Sequence, residues 1–330
     1  MKKILVIKLG AMGDVVRTLP LLLGIKEKYS DSEISWITKK ESKDLVKSSP
    51  YVKKVYTLHE EFPNNFDVLY NFDVENEAID LVGKIKADEK YGFYSEDGFV
   101  LAFNIGASYY LNTLFDDATK KENTKTYQEM MFSAAELVYK RQHHPIYFSK
   151  GDLDYAENFF KDKSGKIIGI HLGAGQRWPS KVWHKDCLIK FIEMAKAKNY
   201  GIMIFGGPNE IKEMESIKKE LQKKQMPVYF NNPEGSIMEF ASLVNKCDFM
   251  VCSDSLSLHI SLALKKPTIG LFFCTPPNEI GGDGLLKKII SPMLYDFFPE
   301  RMNEYNEDLV KSISPGDVLN SIVSMENNNK

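Results

Sequence analysis

The run from Cys247 to Phe273, CDFMVCSDSLSLHISLALKKPTIGLFF, constrains the fold more than any other segment of this chain. Two apolar stretches flank a polar turn and a helix-like segment, which gives the order strand, turn, helix, strand. Strands joined through a helix lie parallel in one sheet. The turn carries Asp254, Ser255 and Ser257, with His259 just inside the helix. Backbone N–H groups at a helix start, beside small hydroxyl groups, favour an anion such as phosphate.

The same alternation of strands and helices runs through both halves of the chain. One half begins with the strand ILVIKL (4–9) and the other with KIIGIHLGAG (166–175), and each strand leads into a turn with glycine. We predict an α/β fold of two doubly wound, Rossmann-like domains facing each other across a cleft, with ligands at the carboxyl ends of the strands. Residues 1–150 and 151–312 would form these domains. Residues 313–330 would form a helix that packs back on the first domain, and a tail.

Two segments depart from simple alternation. The helical pattern from Asp14 to about Lys28 contains Pro20, which should end or kink a turn. Residues 91–125 are less regular and rich in Tyr, Phe and Asn. We predict that they form a loop-rich insertion lining a substrate cleft.

Composition narrows the class of protein. The formal net charge of −2 argues against a dedicated nucleic-acid binder, so we expect no nucleic-acid partner. The four cysteines lack CxxC spacing, which favours a reducing cytoplasm.

The apolar N-terminus is short and broken by Lys8, so it is more typical of a strand than of a signal peptide. No stretch has the roughly 18 apolar residues of a membrane span. Without HExxH, a Cys/His cluster or a Walker loop, we expect neither metal nor cofactor.

The first motif that carries chemistry is KLGAMGDVVRTLP, which begins at Lys8. Gly10 and Gly13 allow the backbone to approach a ligand closely. Asp14 stands at the strand-to-helix junction, where it would either face the ligand or cap the helix. A dinucleotide fingerprint is absent, because the motif has GxxG spacing and the second strand ends without an acidic residue.

The second motif is HLGAGQRWPSKVWH, which ends at His184. Its residues 173–175 form a tight turn, and Arg177 and Lys181 add positive charge beside it. The alternative is that the tryptophans only pack and that the cations are solvated.

The third motif is IFGGPNE, a second glycine turn that ends at Glu210. This carboxylate could hold a ribose hydroxyl, as acidic residues do in nucleotide sites. It could equally be an acidic residue favoured by the helix dipole.

Together the motifs resemble the heptosyltransferases of glycosyltransferase family 9, over nearly the whole chain. LGAMGDVVRTLPLL resembles the family's N-terminal signature, HLGAGQRWPSKVW its G-A-G…W-P-x-K-x-W segment, and FGGPNE its second Gly-Gly turn. DSLSLHISLALKKPTIGLF is similar to its D-T-G-x-x-H-x-x-A-A-x-x-x-P motif. Three positions differ: Ser255 replaces Thr, Leu256 replaces Gly, and His184 replaces the Pro that usually follows K-x-W.

The resemblance implies a GT-B fold and an inverting, metal-independent transfer of heptose from ADP-heptose to a lipopolysaccharide or lipooligosaccharide core acceptor. The first domain would bind the acceptor, and the second the nucleotide sugar. Asp14 matches the family's catalytic base and Lys181 its diphosphate contact. The full predicted donor site is Lys181, Asp254, Ser255, Leu256, His259, Gly173, Ala174, Glu210 and Arg177. The predicted acceptor site is Gly10, Ala11, Met12, Gly13 and Arg17.

The acceptor should be a lipid-linked saccharide that is phosphorylated or acidic. Residues 39–54 contain six lysines (39, 40, 43, 47, 53 and 54) against Glu41 and Asp44. They would touch the acceptor or the anionic cytoplasmic face of the inner membrane, unless they form a solvated helix face.

Three other functions compete with this hypothesis. A glycosyltransferase of the same fold could use another nucleotide sugar or acceptor, and Leu256 and His184 keep that open. A solute-binding protein also has two α/β domains, but Asp14 and the absence of a signal peptide disfavour it. A nicotinamide-dependent oxidoreductase is disfavoured by the missing fingerprint.

Overall fold

The computed structural model describes residues 1–161, 165–175 and 177–328. It forms two compact units. The first comprises Met1–Tyr147 with Asn278–Gly281, and the second comprises Phe148–Pro277 with Gly282–Lys330.

The first unit contains a six-stranded sheet. Its strands are β1 (Lys2–Ile7), β2 (Ser32–Thr38), β3 (Val52–Thr57), β4 (Asn65–Asn71), β5 (Lys86–Glu96) and β6 (Phe99–Ala102). Their order is β3-β2-β1-β4-β5-β6, and every pair is parallel except the hairpin of β5 and β6. This is the doubly wound order, and its switch point lies between β1 and β4.

Helices cover both faces of this sheet. They are α1 (Met12–Thr18), α2 (Leu21–Lys28), α3 (Lys43–Lys47), α4 (Asn76–Lys84), α5 (Ile105–Phe115), α6 (Asp117–Glu122) and α7 (Tyr127–Ala134). Successive β1 residues point to opposite faces, so Ile4 and Val6 join one apolar cluster while Leu5 and Ile7 join another. The predicted interruption at Pro20 is confirmed, since it separates α1 from α2.

The prediction of a loop-rich insertion at residues 91–125 is wrong. Strand β5 turns at Asp97 and Gly98, which both have positive φ, into β6. Asp-Gly is a favoured two-residue hairpin turn. Asn104 then caps α5 by accepting a hydrogen bond from the backbone N–H of Ala107 at 2.8 Å. The aromatic residues in this segment therefore belong to regular structure.

The second unit repeats the first unit's sheet topology. Its strands are β7 (Ile167–His171), β8 (Gly201–Phe205), β9 (Tyr229–Phe230), β10 (Phe249–Ser253), β11 (Thr268–Phe272) and β12 (Leu286–Ile290). All are parallel, in the order β12-β11-β10-β7-β8-β9. Counted within the unit, this is again the doubly wound order, with the switch point between β7 and β10.

The helices of the second unit follow the predicted alternation. They are α8 (Lys150–Phe160), α9 (Lys185–Ala197), α10 (Ile211–Lys223), α11 (Ile237–Lys246), α12 (Leu256–Ala263), α13 (Leu294–Phe297), α14 (Glu307–Lys311) and α15 (Pro315–Asn328). The sequence missed α8, whose N-cap Ser149 forms a capping box with Asp152. The division of the chain at Tyr147–Phe148 leaves this helix wholly in the second unit.

The C-terminal helix lies elsewhere than expected. The sequence suggested that it packs back on the first domain. Instead α15 belongs to the second unit, where Val318, Leu319 and Ile322 are buried in the apolar cluster that also contains residues of α9 and β11. An amphipathic helix packs on whichever apolar surface the fold leaves open, and its own pattern does not specify that surface. Residues 329–330 lie outside the described part of the chain.

Candidate active site

Asp14 lies within the first turn of α1, not at its cap. Ala11 is the N-cap residue and makes no side-chain cap hydrogen bond. The interpretation of Asp14 as a helix cap is therefore wrong. Its Oδ1 accepts a contact of 2.7 Å from Nη2 of Arg17, three residues later on the same helix. Met12 and Gly13 complete this first turn.

The turn before α1 is held by a residue that the sequence analysis missed. Oδ2 of Asp73 accepts hydrogen bonds from the backbone N–H groups of Leu9 at 2.9 Å and Gly10 at 2.7 Å. Asp73 lies two residues after the end of β4, across the switch point from Gly10. Its position after an apolar strand, FDVLYNF, was the signal that could have found it.

A second cation lies under this turn. Nζ of Lys8 donates to the backbone oxygen of Phe72 at 2.8 Å and lies 3.5 Å from Oδ2 of Asp73. Burial opposes the charge on Lys8, but Tyr127, Asp73 and Asp14 outweigh it and raise the pKa of Lys8. Two cations and two carboxylates thus occupy the carboxyl end of β1.

A side chain at position 10 would be a tight fit. A Cβ there would lie 3.2 Å from Oδ2 of Asp14 and 3.4 Å from Oδ2 of Asp73. Both carboxylates therefore crowd the same face of the turn. The predicted acceptor residues, from Gly10 to Gly13 together with Arg17, do lie around Asp14.

In the second unit, the predicted donor residues meet at the end of β10. Nζ of Lys181 lies 3.3 Å from Oδ2 of Asp254, and Nε2 of His259 lies 4.0 Å from Oδ1 of the same carboxylate. Lys181 is only 7% exposed, which excludes the alternative of a solvated cation. Asp254 and His259 belong to one motif, and the fold brings Lys181 to them from a separate segment.

The polar turn at the start of α12 differs in detail from the expectation. Ser255 is the N-cap residue, but its side chain caps no backbone N–H. Its Oγ instead lies 2.9 Å from Oγ of Ser257 and donates to the backbone oxygen of Ser253 at 3.2 Å. Leu256 is the first helical residue and is half-buried.

The glycine turn after β7 makes room for a carboxylate. A Cβ on Gly173 would lie 2.6 Å from Cδ of Glu210. Oε2 of Glu210 also accepts from the backbone N–H of Gly207 at 2.8 Å. Glu210 therefore closes its own glycine turn and lies against the turn that contains Ala174. His171, just before it, contacts the backbone oxygen of Gly173 through Nδ1 at 2.7 Å, and burial lowers its pKa.

The two cations of the second motif behave differently. The ring centroid of Trp178 lies 4.7 Å from Cζ of Arg177 and 5.0 Å from Nζ of Lys181. Arg177 is exposed, whereas Lys181 is buried. Arg177 is therefore a solvated cation that also lies over the Trp178 ring, as the alternative interpretation of this motif allows.

His184 has a local structural role. It is the N-cap residue of α9, and its Nδ1 accepts from the backbone N–H of Asp186 at 3.2 Å. His184, which replaces the family's proline, therefore caps the start of α9.

Within residues 1–161, 165–175 and 177–328, no group of three or more His, Cys, Asp or Glu side chains could hold a metal ion. In the same part of the chain, no helix is both long and apolar enough to cross a bilayer.

Two doubly wound sheets, each with charged side chains at the carboxyl ends of its switch-point strands, place those side chains where α/β folds bind their ligands. Residues 28–300 match the sequence profile of glycosyltransferase family 9 (heptosyltransferase). The chain belongs to this family and is a glycosyltransferase.

Curated relatives and solved structures agree with this assignment. Lipopolysaccharide heptosyltransferase 1 of Campylobacter coli is 23% identical over 311 residues, covering 87% of this chain and 89% of the relative. Lipopolysaccharide core heptosyltransferase OpsX of Haemophilus influenzae is 24% identical over 305 residues, covering 88% and 84%.

Among solved structures, a family 9 glycosyl transferase from Veillonella parvula aligns with a TM-score of 0.77 at 16% identity, covering 98% of this chain and 97% of that one. ADP-heptose lps heptosyltransferase II of E. coli aligns with a TM-score of 0.75 at 18% identity, covering 98% of both chains. These similarities confirm the predicted GT-B fold.

Proposed function

We propose that this enzyme transfers heptose from ADP-heptose to a lipopolysaccharide or lipooligosaccharide core acceptor, with inversion at the anomeric carbon and without a metal ion. The names of the relatives support the sugar and the pathway. The observation that carries the proposal is the buried Lys181 beside Asp254 at the start of α12. A fixed cation and a helix N-terminus together suit a diphosphate.

The donor half of the reaction is assigned to the second unit. Lys181 and the first turn of α12 would stabilise the negative charge that develops on the departing diphosphate. Asp254 keeps Lys181 in position through the 3.3 Å contact. Glu210, which is half-exposed beside Gly173, would accept a hydrogen bond from a ribose hydroxyl.

The acceptor half is assigned to the first unit, with Asp14 as the base. The acceptor oxygen forms a bond to the anomeric carbon while the bond from that carbon to the diphosphate oxygen breaks. The acceptor proton passes to the Asp14 carboxylate, and ADP leaves with the electron pair. A carboxylate within hydrogen-bond reach of the hydroxyl suits this step.

The test of the donor assignment is Lys181→Met, with Lys185→Met as the matched control. Lys185 is nearby in sequence, but it pairs with Glu220 at 2.8 Å on the unit's surface. We expect Lys181→Met to weaken ADP binding about 10- to 100-fold and to slow transfer, because a charge-assisted contact is lost. Calorimetry with ADP and a thermal melt would separate lost binding from lost folding. Unchanged ADP affinity in a folded variant would exclude this role.

A second candidate is a glycosyltransferase of the same fold with another nucleotide sugar or acceptor. Leu256 favours it, because a half-buried leucine begins the helix where the family has glycine. Thermal-shift screening with ADP, UDP, GDP and NAD would distinguish the candidates. Selective stabilisation by ADP supports the heptose donor, stabilisation by UDP or GDP supports the rival, and stabilisation by NAD alone would contradict both.

We propose that the lysine-rich segment, residues 39–54, contacts the membrane. Part of the positive charge of this segment is neutralised by ion pairs. Lys39 pairs with Glu75 at 2.8 Å and Lys43 with Glu60 at 2.6 Å. The remaining lysines, 40, 47, 53 and 54, are exposed. We expect salt-sensitive sedimentation with phosphatidylglycerol vesicles that is lost when these four become glutamine. Vesicle binding that is unchanged by salt and by the four substitutions would contradict the proposed membrane contact.

A further inference from the structure

We propose that Arg17 is a positioning residue for Asp14 and not a ligand of the acceptor. This inference rests on the proposed role of Asp14 as base. It replaces the expectation that Arg17 binds the acceptor together with the glycine turn. Arg17, Asp14, Thr18 and Tyr127 all lie in the first unit.

The contact between Arg17 and Asp14 is close and largely shielded from solvent. Nη2 of Arg17 lies 2.7 Å from Oδ1 of Asp14, and the Arg17 side chain is 17% exposed. Burial opposes the charge of the guanidinium, but Asp14 and then Tyr127 outweigh it and raise the pKa of Arg17. The arginine therefore stays charged and holds one carboxylate oxygen at a fixed place.

Arg17 is itself immobilised by an aromatic ring. Its Cζ lies 3.7 Å from the centroid of Tyr127, a close cation–π contact, and Tyr127 is 1% exposed. Tyr127 is the first residue of α7, directly after Thr126, which forms a capping box with Glu129. The ring is thus fixed by its own helix start, and the guanidinium is fixed by the ring.

Tyr127 is also connected to the backbone of Asp14 through Thr18. Its hydroxyl lies 2.9 Å from Oγ1 of Thr18, and Thr18 donates to the backbone oxygen of Asp14 at 2.6 Å. Arg17 and Thr18 therefore connect both the side chain and the backbone of Asp14 to one ring. Such a closed set of contacts suits orientation of a base, for which small displacements are costly.

The alternative is that Arg17 binds an anionic group of the acceptor. In its favour, Nε of Arg17 has no hydrogen-bond partner among the described residues. Against it, Nη2 is already paired with Asp14 and the Tyr127 ring covers one face of the guanidinium. The two roles differ in the kinetic constant that they affect, because a ligand contributes to acceptor binding and a positioning residue to turnover.

The experiment compares Arg17→Met, Arg17→Lys and Asp14→Asn with the double variant Asp14→Asn/Arg17→Met. Lys28→Met is the matched control, since Lys28 also lies over a tyrosine ring, 4.4 Å from the centroid of Tyr91 in the same unit. The readouts are kcat, the acceptor KM and a thermal melt, measured with ADP-heptose and core acceptor.

We expect Arg17→Met to lower kcat about 10- to 100-fold, with the acceptor KM nearly unchanged. Arg17→Lys should recover part of this loss, because an ammonium can pair with the carboxylate but lacks the planar fork. In the Asp14→Asn background, adding Arg17→Met should cost little, since the two residues act as one unit. Lys28→Met should leave both constants unchanged.

Three results would overturn the proposal. A raised acceptor KM with normal kcat would make Arg17 an acceptor ligand. An equal loss from Arg17→Met with and without Asp14 would mean that Arg17 acts independently, while the role of Asp14 stands. Normal turnover in Asp14→Asn would exclude both the base and its positioning residue. If Arg17→Met does not fold, the comparison of Arg17→Lys with Asp14→Asn/Arg17→Lys decides between the same outcomes.

Discussion

The two units place an aspartate at the same topological position but use it differently. Asp73 follows β4 in the first unit, and Asp254 follows β10 in the second, each beside its switch point and each paired with a lysine. The Asp73 side chain is 4% exposed, and its Oδ2 accepts two backbone N–H groups. The Asp254 side chain is 19% exposed beside the start of α12. One carboxylate holds a turn, while the other lies where a ligand can reach its surroundings.

This difference between Asp73 and Asp254 shows that the position of a residue in the fold does not by itself determine what the residue does. In the first unit the proposed catalytic carboxylate, Asp14, lies in the first turn of α1. Asp73 supports the turn before that helix. In the second unit the aspartate stays in the turn and orients Lys181. The predictions that change Asp14, Gly10 and Gly173 test whether this division between the units is real.

The largest effect is expected from Asp14→Asn. The change removes the proposed base while keeping the shape of the side chain. We expect kcat to fall about 10²- to 10⁴-fold with ADP affinity unchanged, because proton abstraction is proposed for the first unit and donor binding for the second. A single-turnover assay with calorimetry for ADP would measure both quantities. Asp44→Asn, on the exposed side of α3, is the control. Near-normal turnover with intact donor binding would make the base assignment wrong.

An intermediate effect is expected from two alanine substitutions at equivalent turns. Gly10→Ala places a Cβ 3.2 Å from Oδ2 of Asp14, and Gly173→Ala places one 2.6 Å from Cδ of Glu210. Neither glycine has positive φ, so displacement of the carboxylate is the main consequence. We expect Gly10→Ala to lower kcat and Gly173→Ala to raise the donor KM, each by about tenfold.

Steady-state kinetics with both substrates varied would separate the two constants. The comparison fails if both alanine variants change the same constant. Gly83→Ala is the control, because a Cβ there meets nothing within 4 Å.

A separate effect, on stability and not on catalysis, concerns the first unit in acid. His144 is 3% exposed, and burial lowers its pKa to about 4, from an ordinary value of 6.5. The unfolded chain therefore binds a proton that the folded unit excludes. Stability is intact above pH 6.5 and falls as the pH drops toward 4, by about 2 kcal/mol at pH 5.

Chemical denaturation of the full chain at pH 7 and pH 5 would measure this loss. His144→Gln, which can keep a hydrogen bond to Oγ of Ser49, should reduce it. An equal loss in both proteins would show that other groups cause the acid sensitivity.

Much of the fold could be predicted from local pattern. The strands β1, β7, β10 and β11 fall where the apolar runs predict them. Glycine-rich turns at strand ends and the interruption at Pro20 also follow from chain chemistry. The hairpin at Asp97 and Gly98 was missed, although its dipeptide is a turn signal, because an antiparallel pair breaks the alternation expected of a parallel sheet.

The sequence by itself determined the alternation of strands and helices and the position of each motif. Only the tertiary structure decided that Lys181 meets Asp254 across 73 residues and that Asp73 holds the Gly10 turn across 63. It also decided that α15 packs in the second unit. The physical reason is that periodicity records which face of an element is buried, whereas the partner on that face depends on the whole sheet order.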